Sequence, residues 1–135
     1  MQTSSPLDAP TIQRVLVVGF DPYAVAHLGV DPDMVSGALA LGQTRFEAAG
    51  IPADLCLVGL DQERAIEQIV EQVTATEYAC VVIGGGIRKP PPMLEFFEVV
   101  INLVRRHAAN AIIAFNTNAA DSLDAVQRWL PTPKV

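Results

Sequence analysis

Arg14-Val15-Leu16-Val17-Val18-Gly19 is short, rich in β-branched residues and apolar on both alternating sets of positions. A strand with one wet face would alternate polar and apolar. This one is patterned for burial on both faces, as the central strand of a parallel sheet requires. Working outward, Asp54-Leu55-Cys56-Leu57-Val58-Gly59, Ala79 to Ile83 and Ala111 to Phe115 repeat the pattern. Helical segments separate them. Asp31-Pro32 supplies an N-cap with proline in the first helical position, ahead of Met34, Val35, Ala38, Leu41 and Phe46, and Gly50 ends that helix. Gly37 and Gly42 within it are expected to allow close packing on the sheet, at some cost in helix propensity. Asp61 caps a second helix, in which Ala65, Ile66, Ile69, Val70 and Val73 keep helical spacing. A third runs from about Met93 to His107. The last starts at Asp121, with Leu123, Val126, Trp129 and Leu130 expected to face inward, and stops at Pro131.

Four strand–helix repeats with right-handed crossovers define the α/β class. The expectation is a single three-layer αβα domain over residues 12–131, with a four-stranded parallel sheet in the flavodoxin-like or Rossmann-like order 2-1-3-4. The competing order is 3-2-1-4. Residues 1–11, polar and carrying Pro6 and Pro10, read as a flexible N-terminal tail.

Composition narrows the functional classes. Of 135 residues, half are hydrophobic and only 18% charged, and mean hydropathy is positive, so a sizeable core is expected rather than a disordered chain. The net charge of -6 argues against a nucleic-acid partner, which would select a basic face. No apolar run is long enough to span a membrane, and a cytoplasmic protein is expected. Cys56 and Cys80 each lie inside a strand-like run, so both read as buried reduced thiols rather than a disulfide.

The third strand opens directly into Gly84-Gly85-Gly86-Ile87-Arg88-Lys89-Pro90-Pro91-Pro92. Three glycines would let the backbone take positive φ and approach a ligand closely, and Arg88 and Lys89 bring charge. With order 2-1-3-4 the sheet reverses between its first and third strands, the usual place for a ligand. The loop from Gly19 to His27, the glycine loop and Asn116-Thr117-Asn118 would meet there. Arg88 and Lys89 are expected to contact a carboxylate or phosphate, with Gly84, Gly85 and Gly86 shaping the cradle. Asp21 would hold a hydroxyl or amine or else pair with Arg88, Tyr23 would stack on a ring, and Asn116 or Asn118 would bond an amide or base edge. The three prolines remove the amides that a helix N-terminus normally offers an anion, leaving glycine amides and side chains to do the holding.

The third helix carries a second clue. Glu95, Glu98 and Asn102 form one narrow polar stripe, and some of the apolar residues Met93, Leu94, Phe97, Ile101 and Val104 exceed what one sheet-facing side needs. A homodimer through the helix around Met93–Val104 is expected.

Several chemistries lack their residues. There is no G-x-x-x-x-G-K-[ST], no G-x-G-x-x-G and no G-x-S-x-G segment, and two histidines with two buried cysteines make no metal site. No cofactor and no catalytic residue is assigned. Val15-Leu16-Val17-Val18-Gly19-Phe20-Asp21-Pro22-Tyr23 resembles the first strand and loop of pyroglutamyl peptidases, but that family's cysteine and histidine segments have no counterpart, and no activity carries over. Gly84 to Pro90, Asn102 to His107 and Ala114 to Thr117 together resemble a group of small uncharacterised bacterial proteins, over most of Val15 to Leu130. That resemblance implies a bacterial origin and a Rossmann-like fold. The expected function is binding of a small anionic metabolite or nucleotide at the carboxyl ends of the first and third strands. The alternatives are a homodimeric scaffold working through the third helix, or a non-covalent hydrolase or isomerase using Asp21 and His27.

Overall fold

The computed structural model describes residues 13–131; the expected tail over residues 1–11 lies outside them. Four strands, β1 (Val15–Phe20), β2 (Ala53–Val58), β3 (Cys80–Ile83) and β4 (Ile112–Phe115), form one all-parallel sheet in the order β2-β1-β3-β4. In register, Val15 lies beside Ala53 on one side and Cys80 on the other, and Cys80 in turn beside Ile112. Val15, Leu16, Val17 and Val18 are all buried, as a strand covered on both faces must be.

Helices α1 (Pro32–Ala49), α2 (Gln62–Ala75), α4 (Leu94–His107) and α5 (Ser122–Gln127) cover the sheet, and a single turn, α3 (Gly85–Arg88), follows β3. α2 and α4 close one face, where Ala65, Ile69, Val73, Phe96, Val100 and Val104 meet Leu16, Val18, Val81 and Ile83. α1 and α5 close the other, where Phe46, Ala125 and Val126 meet Val15, Val17, Cys80 and Val82. The caps follow the sequence. The Asp31 carboxylate accepts from Asp33 and Met34 N–H, that of Asp61 accepts from Arg64 N–H, and Gly50 closes α1 with φ 74°.

Three expectations need correcting. A Cβ on Gly37 would meet nothing within 4 Å, and Gly42 faces not the sheet but the carbonyl of Ala119, in the turn ahead of α5. α5 begins at Ser122, behind a 3-10 turn (Ala119–Asp121) that Asn118 caps, and stops at Gln127, well before Pro131. Trp129, beyond the end of the helix, is consequently 59% exposed instead of facing in. Among the described residues no helix is long and apolar enough to cross a membrane.

Candidate functional site

The outgoing turns of β1, β3 and β4 come together above the sheet. Gly84 N–H donates to Val18 C=O at 2.8 Å, extending the β1–β3 ladder by one residue. A Cβ on Gly84 would lie 3.1 Å from that carbonyl, and one on Gly86 would sit 3.5 Å from the Phe20 ring. Here the glycine run differs from expectation. Gly84 takes an ordinary extended conformation, φ -70°, and among the described residues only Gly29 and Gly50 have positive φ. Gly85–Arg88 winds into one helical turn, closed by Lys89 N–H on Gly85 C=O at 2.8 Å. Glycine at 84 is therefore demanded by the close pass against β1 rather than by torsion. The Gly85 and Gly86 N–H groups, first in that turn, have no intrahelical acceptor.

Both cations reach across to the loop after β4. Arg88 Nη2 donates to Asn116 C=O, and the guanidinium lies 5.3 Å from the centre of the Phe115 ring. The Lys89 stem crosses Gly85, and Nζ donates to Thr117 C=O at 2.7 Å. Neither cation is used up, since a guanidinium has five N–H donors and an ammonium three. Asn116 is 3% exposed; its Nδ2 donates to Ser122 Oγ at 3.0 Å, and Ser122 Oγ donates to Ala119 C=O. Two buried polar atoms are left without partners among the described residues: Arg88 Nε, a donor, and Asn116 Oδ1, an acceptor.

Gly84, Gly85, Gly86, Arg88, Lys89 and Asn116 are thus brought to one place. The other expected residues are occupied locally. The Asp21 carboxylate accepts from Tyr23 N–H at 2.9 Å and does not pair with Arg88. Tyr23 is exposed, and its hydroxyl donates to Asp33 at the start of α1. Asn118 Oδ1 accepts from Ala120 N–H as a cap. His27 is exposed and makes no direct hydrogen bond with Asp21 among the described residues.

Sequence reading passed over two residues here. Asp121 collects Thr117 Oγ1–H and the N–H groups of Thr117 and Asn118, which fixes the loop that Arg88 and Lys89 hold. Burial alone would raise its pKa, but those hydrogen bonds and the Arg128 charge outweigh it and hold the carboxyl below its ordinary value. Ser122, which carries no role in the sequence motifs, anchors Asn116. Capping chemistry was the available signal for Asp121; nothing local pointed to Ser122.

At the opposite end of the sheet, Asp54 joins Arg14 at 3.1 Å and Tyr78 OH at 2.8 Å, and Gln72 donates to the Tyr78 hydroxyl. Burial pushes the Tyr78 pKa up. A cavity of about 140 Å³ beside Tyr78 and His107 is smaller than the roughly 300–1,000 Å³ of small-molecule sites. The Arg14, Asp54, Gln72 and Tyr78 side chains cross-link the entry to β1, β2 and the end of α2. Burial also lifts Cys56 and Cys80 to about 11, so neither is a poised nucleophile. Among the described residues no group of three or more His, Cys, Asp or Glu side chains is placed to hold a metal ion. Compared with known proteins, the chain matches no family model, no curated protein and no solved structure.

Proposed function

We propose that the protein binds a small anionic metabolite or nucleotide at the carboxyl ends of β1 and β3, between the Gly85–Lys89 turn and Asn116. The observation that carries the reading is the pair of unsatisfied buried atoms, Arg88 Nε and Asn116 Oδ1, on residues already joined by a hydrogen bond. A buried donor or acceptor without a partner costs about 1–3 kcal/mol, more where it is charged, and such groups call for a functional account. A ligand carboxylate or phosphate oxygen suits the Nε–H, and an N–H or O–H on the same ligand suits the Asn116 oxygen. The Gly85 and Gly86 amides add donors, and the Lys89 ammonium adds exposed charge. Its stem lies across Gly85 and would have to swing aside for a ligand to reach that amide. The reversal of strand order between β1 and β3 supports the same location.

The test is thermal denaturation against a panel of nucleotides, inorganic phosphate and small carboxylates, run on wild type and on Arg88→Lys. A ligand at a hundred times its Kd adds about 2.7 kcal/mol, several degrees in a domain of this size. Arg88→Lys keeps the charge but loses the fork and its Nε, so the shift should shrink or vanish. A panel that moves nothing, or a variant that responds like wild type, refutes the assignment.

A further inference from the structure

We infer that the edge of β4 left unpaired among the described residues is a self-association surface, on which two copies pair antiparallel about a two-fold axis at Ile113 and extend the sheet to eight strands. The inference is independent of ligand binding. In a strand, the N–H and C=O of one residue point to the same side. Ile112 N–H donates to Ala79 C=O, so Ile112 and Ala114 face β3 while Ile113 and Phe115 face outward. Of those outward groups, the Phe115 carbonyl is already taken by Arg128 Nη2 at 2.8 Å. Just ahead of the strand, Ala111 N–H is spent on Ala108 C=O.

Antiparallel pairing about Ile113 uses what remains. The two Ile113 residues exchange both of their bonds, and each Phe115 N–H meets the Ala111 carbonyl of the second copy. The two groups that this ladder would leave over, Phe115 C=O and Ala111 N–H, are the two already satisfied within the protomer.

α4 fixes the same axis independently. Phe97 and Ile101 pack partly buried against the core, Phe97 edge-on against Phe115 of β4 at 5.7 Å, and Leu94, three residues before Phe97, shares that side of the helix. Leu94 and Phe115 remain 57% and 38% exposed. Glu98 and Arg105, both exposed, lie on that flank seven residues apart with Ile101 between them. Two copies of α4 packed antiparallel set Glu98 of each against Arg105 of the other, twice, with the axis level with Ile101 and Asn102. From Phe115 down to Ile113 is about 6.6 Å, which corresponds to about four residues of helix, and so carries Phe97 to Ile101. Strand ladder and helix charges place the axis at one level. The other sheet edge, β2, lies under α2, whose exposed row of Glu63, Glu67 and Glu71 would oppose like charge across a two-fold. The occupant of the β4 edge is therefore a second copy of this chain.

The experiment is analytical ultracentrifugation of wild type, Glu98→Arg, Arg105→Glu and the double reversal, all surface changes that leave the core intact. A dimer at micromolar concentration is expected, with each single reversal raising its Kd about tenfold or more and the double reversal recovering most of the loss. Hydrogen exchange at the Ile113 and Phe115 amides should slow as protein concentration rises. The proposal is overturned if wild type stays monomeric, if the double reversal fails to restore association, or if those two amides exchange equally fast at all concentrations.

Discussion

Arg88, on the turn after β3, lies 5.3 Å from the centre of the Phe115 ring, on the last residue of β4, and its Nη2 holds the next carbonyl along. One side chain thus ties down the end of a strand that, among the described residues, has a neighbour on one side only. A cation over a half-exposed ring contributes about 0.5–1 kcal/mol and a hydrogen bond to a charged group about 1.5–3. Against these, the partnerless Nε costs about 1–3 kcal/mol, a penalty the substitution removes, so Arg88→Ala should lower the stability by about 1 kcal/mol, with an unchanged dependence on denaturant. Urea titration measures this, and a loss of less than about 0.5 kcal/mol would mean that the clamp is ornamental.

Gly42 and Gly37 lie in the same helix and should respond oppositely to alanine. A Cβ at Gly42 would fall 2.5 Å from the Ala119 carbonyl oxygen, and one turn on, Arg45 Nη1 donates to Ala120 C=O at 2.7 Å. α1 is pressed against that turn and cannot move away cheaply. Gly42→Ala should cost about 2–3 kcal/mol, in the range of overpacked cores. Gly37 has open space and no positive φ, so Gly37→Ala should gain about 0.5–1 kcal/mol in helix propensity. Paired thermal melts decide it, and equal signs for the two substitutions would contradict the packing.

The fold was legible because its signals are short-range. Doubly apolar runs such as Val15–Val18, and caps at Asp31, Asp61 and Gly50, act within a few residues, and handedness then restricts how strands can be ordered. What escaped the sequence depends on partners far along the chain. Whether Arg88 is solvated or clamped depends on Phe115 and Asn116, twenty-seven or twenty-eight positions away. Whether Gly42 meets the sheet or Ala119 depends on how α5 begins. Trp129 fits an inward helical spacing, but α5 ends at Gln127, before that residue, and leaves it exposed.

Cys56 and Cys80 should both be inert in the native state. Burial raises each thiol from an ordinary 9.0 to about 11, so at pH 8 almost no thiolate exists in the fold. A thiol-specific disulfide reagent should react with neither until denaturant is added, and then with both. The same shift has a stability consequence. Above pH 9 the unfolded chain ionises its thiols while the folded chain keeps them protonated up to about 11. The unfolded state then binds fewer protons, so stability falls as pH rises through that window. A midpoint of unfolding independent of pH from 9 to 11 would contradict this.

Asp121 sets the acid limb. Its folded carboxyl titrates below the ordinary value of 3.8, because the Thr117 and Asn118 donors and Arg128 favour the charged form more than burial disfavours it. Below about that pH the unfolded carboxylate takes up a proton while the folded one resists. The unfolded state then binds more protons, so stability rises with pH there. The contribution of Asp121 is complete above 3.8 and is lost as pH falls through the folded value. Asp121→Asn removes the titration but keeps one acceptor oxygen for the Thr117 and Asn118 amides. It should leave a shallower loss of stability between pH 4 and 2 and a modestly weaker fold at pH 7, because the Thr117 loop, and through it the Lys89 contact, is less firmly held. Acid titrations of the two proteins followed by circular dichroism give the comparison, and superimposable acid limbs would mean that the loop is held by something other than the Asp121 charge.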